Sequence, residues 1–109
     1  MREAPLHRDA LALCGVLLQE LEQAPAHEHL ARRLAEGVLR LVDAVTLALH
    51  ESDPYGPLTG ADAELATLRA HLLLALELGV IDEDSYLDLS EQADRVGRQI
   101  GGWLRKLRG

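Results

Sequence analysis

Glu83–Leu107 reads EDSYLDLSEQADRVGRQIGGWLRKL, and the spacing of its apolar residues decides the fold. Tyr86, Leu89, Ala93, Val96, Ile100, Trp103 and Leu107 follow one another by alternating steps of three and four residues. Such steps return to one face of a helix, so the pattern predicts a helical seam lasting three heptads, over about 83–107. Asp82, Glu83 and Asp84 open this segment and Arg105, Lys106 and Arg108 close it. That order complements the helix dipole at both ends. Against the pattern stand Gly97, Gly101 and Gly102, each costing about 1 kcal/mol relative to alanine inside a helix. Gly97 and Gly101 share a face beside the seam. Close approach of another backbone would offset their cost, so they and Trp103 are read as packing or assembly elements on two faces of one helix.

Working towards the N-terminus, ELGVIDEDS (Glu77–Ser85) marks a boundary. Gly79 suits the left-handed position after a helix end, Asp82 suits the next N-cap, and Val80 or Ile81 suits a hydrophobic staple. A third helix is predicted over about 61–78, with Leu65, Leu68, Leu72 and Leu76 on one face and Leu74 and Leu78 on another. Its apolar surface is too wide for one core contact, which points to an interface between copies of the chain. ESDPYGPLTG (Glu51–Gly60), with two prolines and two glycines, reads as the longest loop, and Thr59 or Asp62 as the cap that follows it.

A second helix is expected over about 26–50, with Leu30, Leu34, Leu41, Val42, Val45 and Leu49 on one stripe and Leu39 and Leu47 off it. The first helix is expected over about 5–23, carrying Leu6, Ala10, Leu13, Cys14, Leu17, Leu18 and Leu21, and ending before Pro25. Four helices on short connections predict an all-α, antiparallel up-down-up-down four-helix bundle, with residues 1–109 as a single domain.

Composition agrees. Hydrophobic residues make up 48% of the 109, yet there is no Phe, one Trp and two Tyr, so the core must be aliphatic. Leucine and alanine lose little conformational freedom in a helix. No apolar run is long enough to span a bilayer and the one cysteine cannot form an internal disulfide, so the expectation is a cytoplasmic protein with no membrane role.

Few residues suggest chemistry. His27 and His29 invite a metal reading with His50, but residues two apart point away from each other on a helix. Ordinary polarity at a helix start is the simpler account. Cys14 falls in the apolar stripe of the first helix and reads as a buried, inert thiol. Phosphate-loop, dinucleotide, nucleophile-elbow and zinc patterns are all missing, as is the paired Glu-x-x-His of di-iron bundles. No catalytic residue, metal or cofactor is therefore expected, and the chain is read as a non-enzyme.

Two motifs carry a resemblance: ADAELATLR (Ala61–Arg69), opening the third helix, and VGRQIGGW (Val96–Trp103), late in the fourth. With them, Ala61–Leu107 resembles the second half of the small four-helix-bundle family that includes the proteins encoded in 23S rRNA intervening sequences. It is more closely similar to Avd, the accessory variability determinant of diversity-generating retroelements. The resemblance implies a homopentameric ring that associates with a reverse transcriptase and its template RNA during mutagenic cDNA synthesis. The alternative is an intervening-sequence-type oligomer with no defined partner.

Charge refines this expectation. Residues 1–94 carry six basic and eighteen acidic groups, and residues 95–109 carry five basic groups and no acid, within a net charge of −7. Avd proteins of this kind are basic overall, whereas this chain is acidic, which suits contact with a basic polymerase surface. Arg95, Arg98, Arg105, Lys106 and Arg108 are the candidate contacts to the polymerase or RNA, together with Arg69. Arg69 and Arg98 stand inside the two motifs. Gly97, Gly101, Trp103, Leu74 and Leu78 are the candidate packing or assembly residues.

Overall fold

The computed structural model describes residues 4–23 and 27–109. Four α-helices follow in order, α1 (Ala4–Glu22), α2 (Glu28–His50), α3 (Tyr55–Glu77) and α4 (Glu83–Arg108), with no strand among the described residues. The break expected at Pro25 and the helix start expected at Ala26 lie outside the described residues. At about 1.5 Å rise per residue, α4 alone is about 39 Å long, most of the 44 Å long axis of the molecule.

The apolar stripes converge on one core. Leu6, Leu13 and Leu17 of α1, Leu34, Leu41 and Val45 of α2, Leu58, Leu68 and Leu72 of α3, and Leu89 and Ile100 of α4 are all sealed from solvent. Each leucine so buried contributes about 2 kcal/mol of transfer free energy. α1 packs against α2 and α4, and α3 packs against the same two helices; among the described residues the diagonal pairs, α1 with α3 and α2 with α4, bring no Cα atoms within 8 Å. No polar or charged residue is buried in this core among the described residues. Specificity therefore rests on shape and on polar ties at its margin. Such ties link His7 to Thr46 at 3.1 Å, Arg40 to Glu64 at 3.1 Å, Gln99 to Asp9 at 2.8 Å and Arg69 to Asp94 at 2.6 Å. No helix among the described residues is long and apolar enough to cross a membrane.

The α3–α4 connection forms as its residues dictate. Gly79 takes φ +76°, its N–H bonds the Leu76 carbonyl at 3.1 Å, and the Val80 N–H bonds the Ala75 carbonyl at 2.9 Å. This is the paired bonding of a Schellman motif, with Val80 and Ala75 both buried. Asp82 then caps α4, its carboxylate accepting from the Ser85 N–H at 2.8 Å. Ile81 is buried and Tyr86 packs on the core, at the two positions of a hydrophobic staple.

Two expectations need correction. The loop expected over Glu51–Gly60 is only Glu51–Pro54 long, because α3 begins at Tyr55. Pro57 falls in the first helical turn, where its missing N–H has no partner to lose. Leu58 is fully buried there and its N–H bonds the Pro54 carbonyl at 2.9 Å, which offsets the nearby glycines. Thr59 and Asp62 therefore cap nothing: the Thr59 hydroxyl bonds the Gly56 carbonyl within the helix, and the start is tied instead by Asp53, which accepts from the Tyr55 N–H at 3.3 Å.

The second correction concerns the seam of α4. Leu89, Ala93, Val96 and Ile100 are buried as the heptads require, but the next buried residue is Leu104; Trp103 is only partly buried and Leu107 is 41% exposed. A straight helix turns every 3.6 residues and drifts about 20° per heptad from a 3.5-residue repeat. Over two to three heptads this amounts to about 40–60°, enough to turn Trp103 towards the margin of the core and bring Leu104 into it, while Leu107 lies in the last turn of the helix.

Candidate partner surface on the fourth helix

The five cations after Asp94 are all exposed. Among the described residues the ion pairs are Arg8–Asp9, Arg40–Glu64 and Arg69–Asp94, so Arg95, Arg98, Arg105, Lys106 and Arg108 pair with no carboxylate of the bundle there. At about 100° per residue, Arg95, Arg98, Arg105 and Lys106 fall within about 100° of arc on α4, opposite the seam through Val96 and Ile100. Arg108 lies further round. The core therefore turns this helix so that its basic side faces away from the bundle. Part of this charge also serves α4 itself, since Arg105, Lys106 and Arg108 occupy its last turn.

Arg69 differs from the other candidates. It reaches from α3 to α4, donating from Nη1 to the Asp94 carboxylate at 2.6 Å and from Nη2 to the Ala93 carbonyl at 3.2 Å. The guanidinium crosses α4 over Gly97. A Cβ at Gly97 would stand 3.0 Å from Arg69 Nη2 and 3.2 Å from Leu65 Cδ2. What approaches Gly97 within the protomer is thus two side chains of α3, not the backbone expected from the glycine spacing. Gly101 has a different neighbour: a Cβ there would lie 3.5 Å from Nη1 of Arg105, four residues on in the same helix.

A surface cavity of about 380 Å3 opens beside this clasp, with Asp62, Arg69, Asp94, Gly97 and Arg98 on its walls. The fold thus brings together Arg69, Gly97 and Arg98 from the two motifs, 28 to 29 positions apart in the chain. The remaining candidates lie elsewhere. Leu74 and Leu78 are 43% and 45% exposed near the end of α3, with Leu73 beside them, and Trp103 faces a separate groove that includes His7 and Leu49.

Asp62 and Asp94, which complete the clasp cavity, carry no sequence signal of their own. An Arg–Asp pair on two helices has no periodicity to betray it. The histidines do not gather: His27 is the exposed residue before α2, with φ +59°, and His50 ends that helix, so about 33 Å of helix separates them. A shared metal site for His27, His29 and His50 is excluded by that distance. No group of three potential ligands comes together among the described residues.

Two titrating groups are shifted. The Ser85 backbone and side chain hydrogen bonds hold the Asp82 carboxyl below its usual 3.8. Burial, reinforced by the negative charge of Asp43, pushes the Cys14 thiol above 9.0. A thiol so placed stays protonated and is a poor nucleophile.

A family model described as bAvd-like matches residues 8–107 of the chain. No curated protein matches it.

Proposed function

Starting from the fact that this chain belongs to the bAvd-like family, we propose that it is a non-enzymatic accessory protein of a diversity-generating retroelement, which binds the reverse transcriptase and supports mutagenic cDNA synthesis. The family match over nearly the whole chain carries this reading. It also favours the retroelement role over an intervening-sequence-type bundle with no defined partner. The retroelement's template RNA is the second partner proposed.

The outward cations of α4 suit either partner. Arg95, Arg98, Arg105, Lys106 and Arg108 form the proposed contact, because exposed charges without a carboxylate partner among the described residues lose little on meeting phosphates or acidic side chains. The acidic remainder of the chain suits a basic polymerase. Arg69 has its guanidinium committed to Asp94 and Ala93, so its proposed part is to set the surface from which Arg98 projects.

We also propose that the bundle runs up-down-up-down and closes into a homopentameric ring, with Leu74 and Leu78 and the face of Gly101 at the contacts between protomers. Exposed leucines on α3 support this, since a contiguous apolar patch is costly in water. The test is capture of the cognate reverse transcriptase by wild-type protein and by the Arg98→Glu, Arg105→Glu, Lys106→Glu variant. Loss of capture by a variant with unchanged helicity is expected; undiminished capture refutes the contact. Light scattering that finds only monomer refutes the ring.

A further inference from the structure

α3 carries a second stripe that the core does not use. Gly56, Gly60, Leu74 and Leu78 are all exposed, and Gly56 to Leu74 and Gly60 to Leu78 are each 18 residues, about five full turns, so the four lie along one line of the helix. Exposed Ala63, Thr67 and Ala70 continue that line between them. No charge interrupts it. Glu64 and Arg69 are tied sideways, to Arg40 of α2 and to Asp94 of α4, Asp62 lines the cavity beside α4, and Glu77 stands about 60° round the helix from Leu74. A helix that is uncharged on its outer side as well as its inner one is covered on both.

This line is hollow at one end and raised at the other. A Cβ at Gly56 or Gly60 would meet nothing within 4 Å, so the helix backbone lies open there. Glycine weakens a helix relative to alanine, and no neighbour within the protomer needs the space. The Arg40–Glu64 tie sets the register with α2, and two turns further along α2 the exposed Leu47 comes beside this hollow. Leu74 and Leu78 stand exposed at the other end. At about 1.5 Å per residue the two ends are about 27 Å apart on one rigid helix, so the leucines of a copy cannot fill its own hollow. Another copy can. An uncharged surface suits an uncharged occupant, because a charge pressed against it would lose its water and gain no partner.

We propose that Leu74 and Leu78 of one copy seat over Gly56 and Gly60 of the next, beside its Leu47. The giving and receiving patches differ, so the contact runs head to tail, the kind that closes into a ring. The inference rests on the ring proposed above and names the surface that receives its leucines. Sedimentation velocity of the full chain, at one concentration, reads the mass. Wild type is expected as a ring. Gly60→Leu blocks the hollow while its Cβ meets nothing in its own protomer, so it is expected as a single chain with undiminished helicity by circular dichroism. The double variant Leu74→Asp, Leu78→Asp, changed only at exposed positions, is expected as a single chain too. Mixing these two variants tests the pairing itself. Gly60→Leu keeps its leucines and the double variant keeps its hollow, so equal amounts should form a two-chain complex that neither forms alone. A wild-type monomer refutes the ring, and the seat with it. A wild-type ring that Gly60→Leu also forms refutes the seat and leaves the ring standing, as does a mixture that stays single-chain. A wild-type assembly of only two chains overturns the head-to-tail order, because such a pair closes on a two-fold axis.

Discussion

Replacing Gly97 with alanine sets helix propensity against the α3–α4 clasp, and Gly101→Ala supplies the control on the same face. At either position alanine favours the helix by about 1 kcal/mol. At Gly101 the new methyl meets Arg105 Nη1 at 3.5 Å, an ordinary contact, so within the protomer the gain should be realised nearly in full. At Gly97 it meets Arg69 Nη2 at 3.0 Å and Leu65 Cδ2 at 3.2 Å. Arg69 can swing away, but only by leaving Asp94 and the Ala93 carbonyl, ties worth roughly 0.5–1 kcal/mol at a half-exposed site. Leu65 is 3% exposed and cannot swing away, and crowding it costs on the order of 1 kcal/mol. Gly97→Ala should therefore be destabilising by up to about 1 kcal/mol, and the two variants should differ by about 2 kcal/mol. In a chain of this size that separates their melting midpoints by roughly 8 °C. Measured at one protein concentration, because assembly would shift both midpoints, the difference should shrink when Arg69→Ala is added to Gly97→Ala. If Gly97→Ala stabilises as much as Gly101→Ala, the clasp is not what the glycine serves.

Leu58→Ala should cost about 3 kcal/mol in a urea titration, as for a core leucine, because Leu58 is fully buried in the first turn of α3; a cost near zero would return this segment to the loop first expected from its prolines. Gly79→Ala should lose about 1–2 kcal/mol, since φ +76° is strained for any residue with a Cβ, whereas no neighbour blocks the methyl itself. Asp82 has a folded pKa below its unfolded one, so its contribution is complete above about pH 4 and fades as pH falls through the lower folded value. Urea midpoints followed from about pH 5 to pH 2 should accordingly fall less steeply for Asp82→Asn than for the wild type. Cys14 should react with a disulfide reagent at pH 8 only at the rate of protein opening, and immediately once unfolded.

Much of this molecule can be read along the chain because its signals are local. A stripe at steps of three and four marks α1, α2 and α4; Gly79, Val80 and Asp82 mark the turn between α3 and α4, and each then adopts the conformation its side chain favours. The start of α3 could not be read this way. Proline and glycine weigh against a helix in isolation, but the burial of Leu58 is a tertiary quantity, and it outweighs them. The seam of α4 follows its heptads only as far as Ile100, since choosing Leu104 over Trp103 depends on how straight the helix runs against its neighbours.

The candidate surface divides along the same line. Its cations could be counted in the sequence, and the spacing of the last helix alone turns Arg95, Arg98 and Arg105 away from the apolar seam. That Arg69 is bound to Asp94, that Gly97 lies beneath its guanidinium, and that His7 stands in one groove with Trp103 depended on packing between helices. Side chains on one helix are related by a fixed 100° per residue, which a linear sequence encodes directly. Side chains on different helices are related by crossing angle and axial offset, which only the packed core determines.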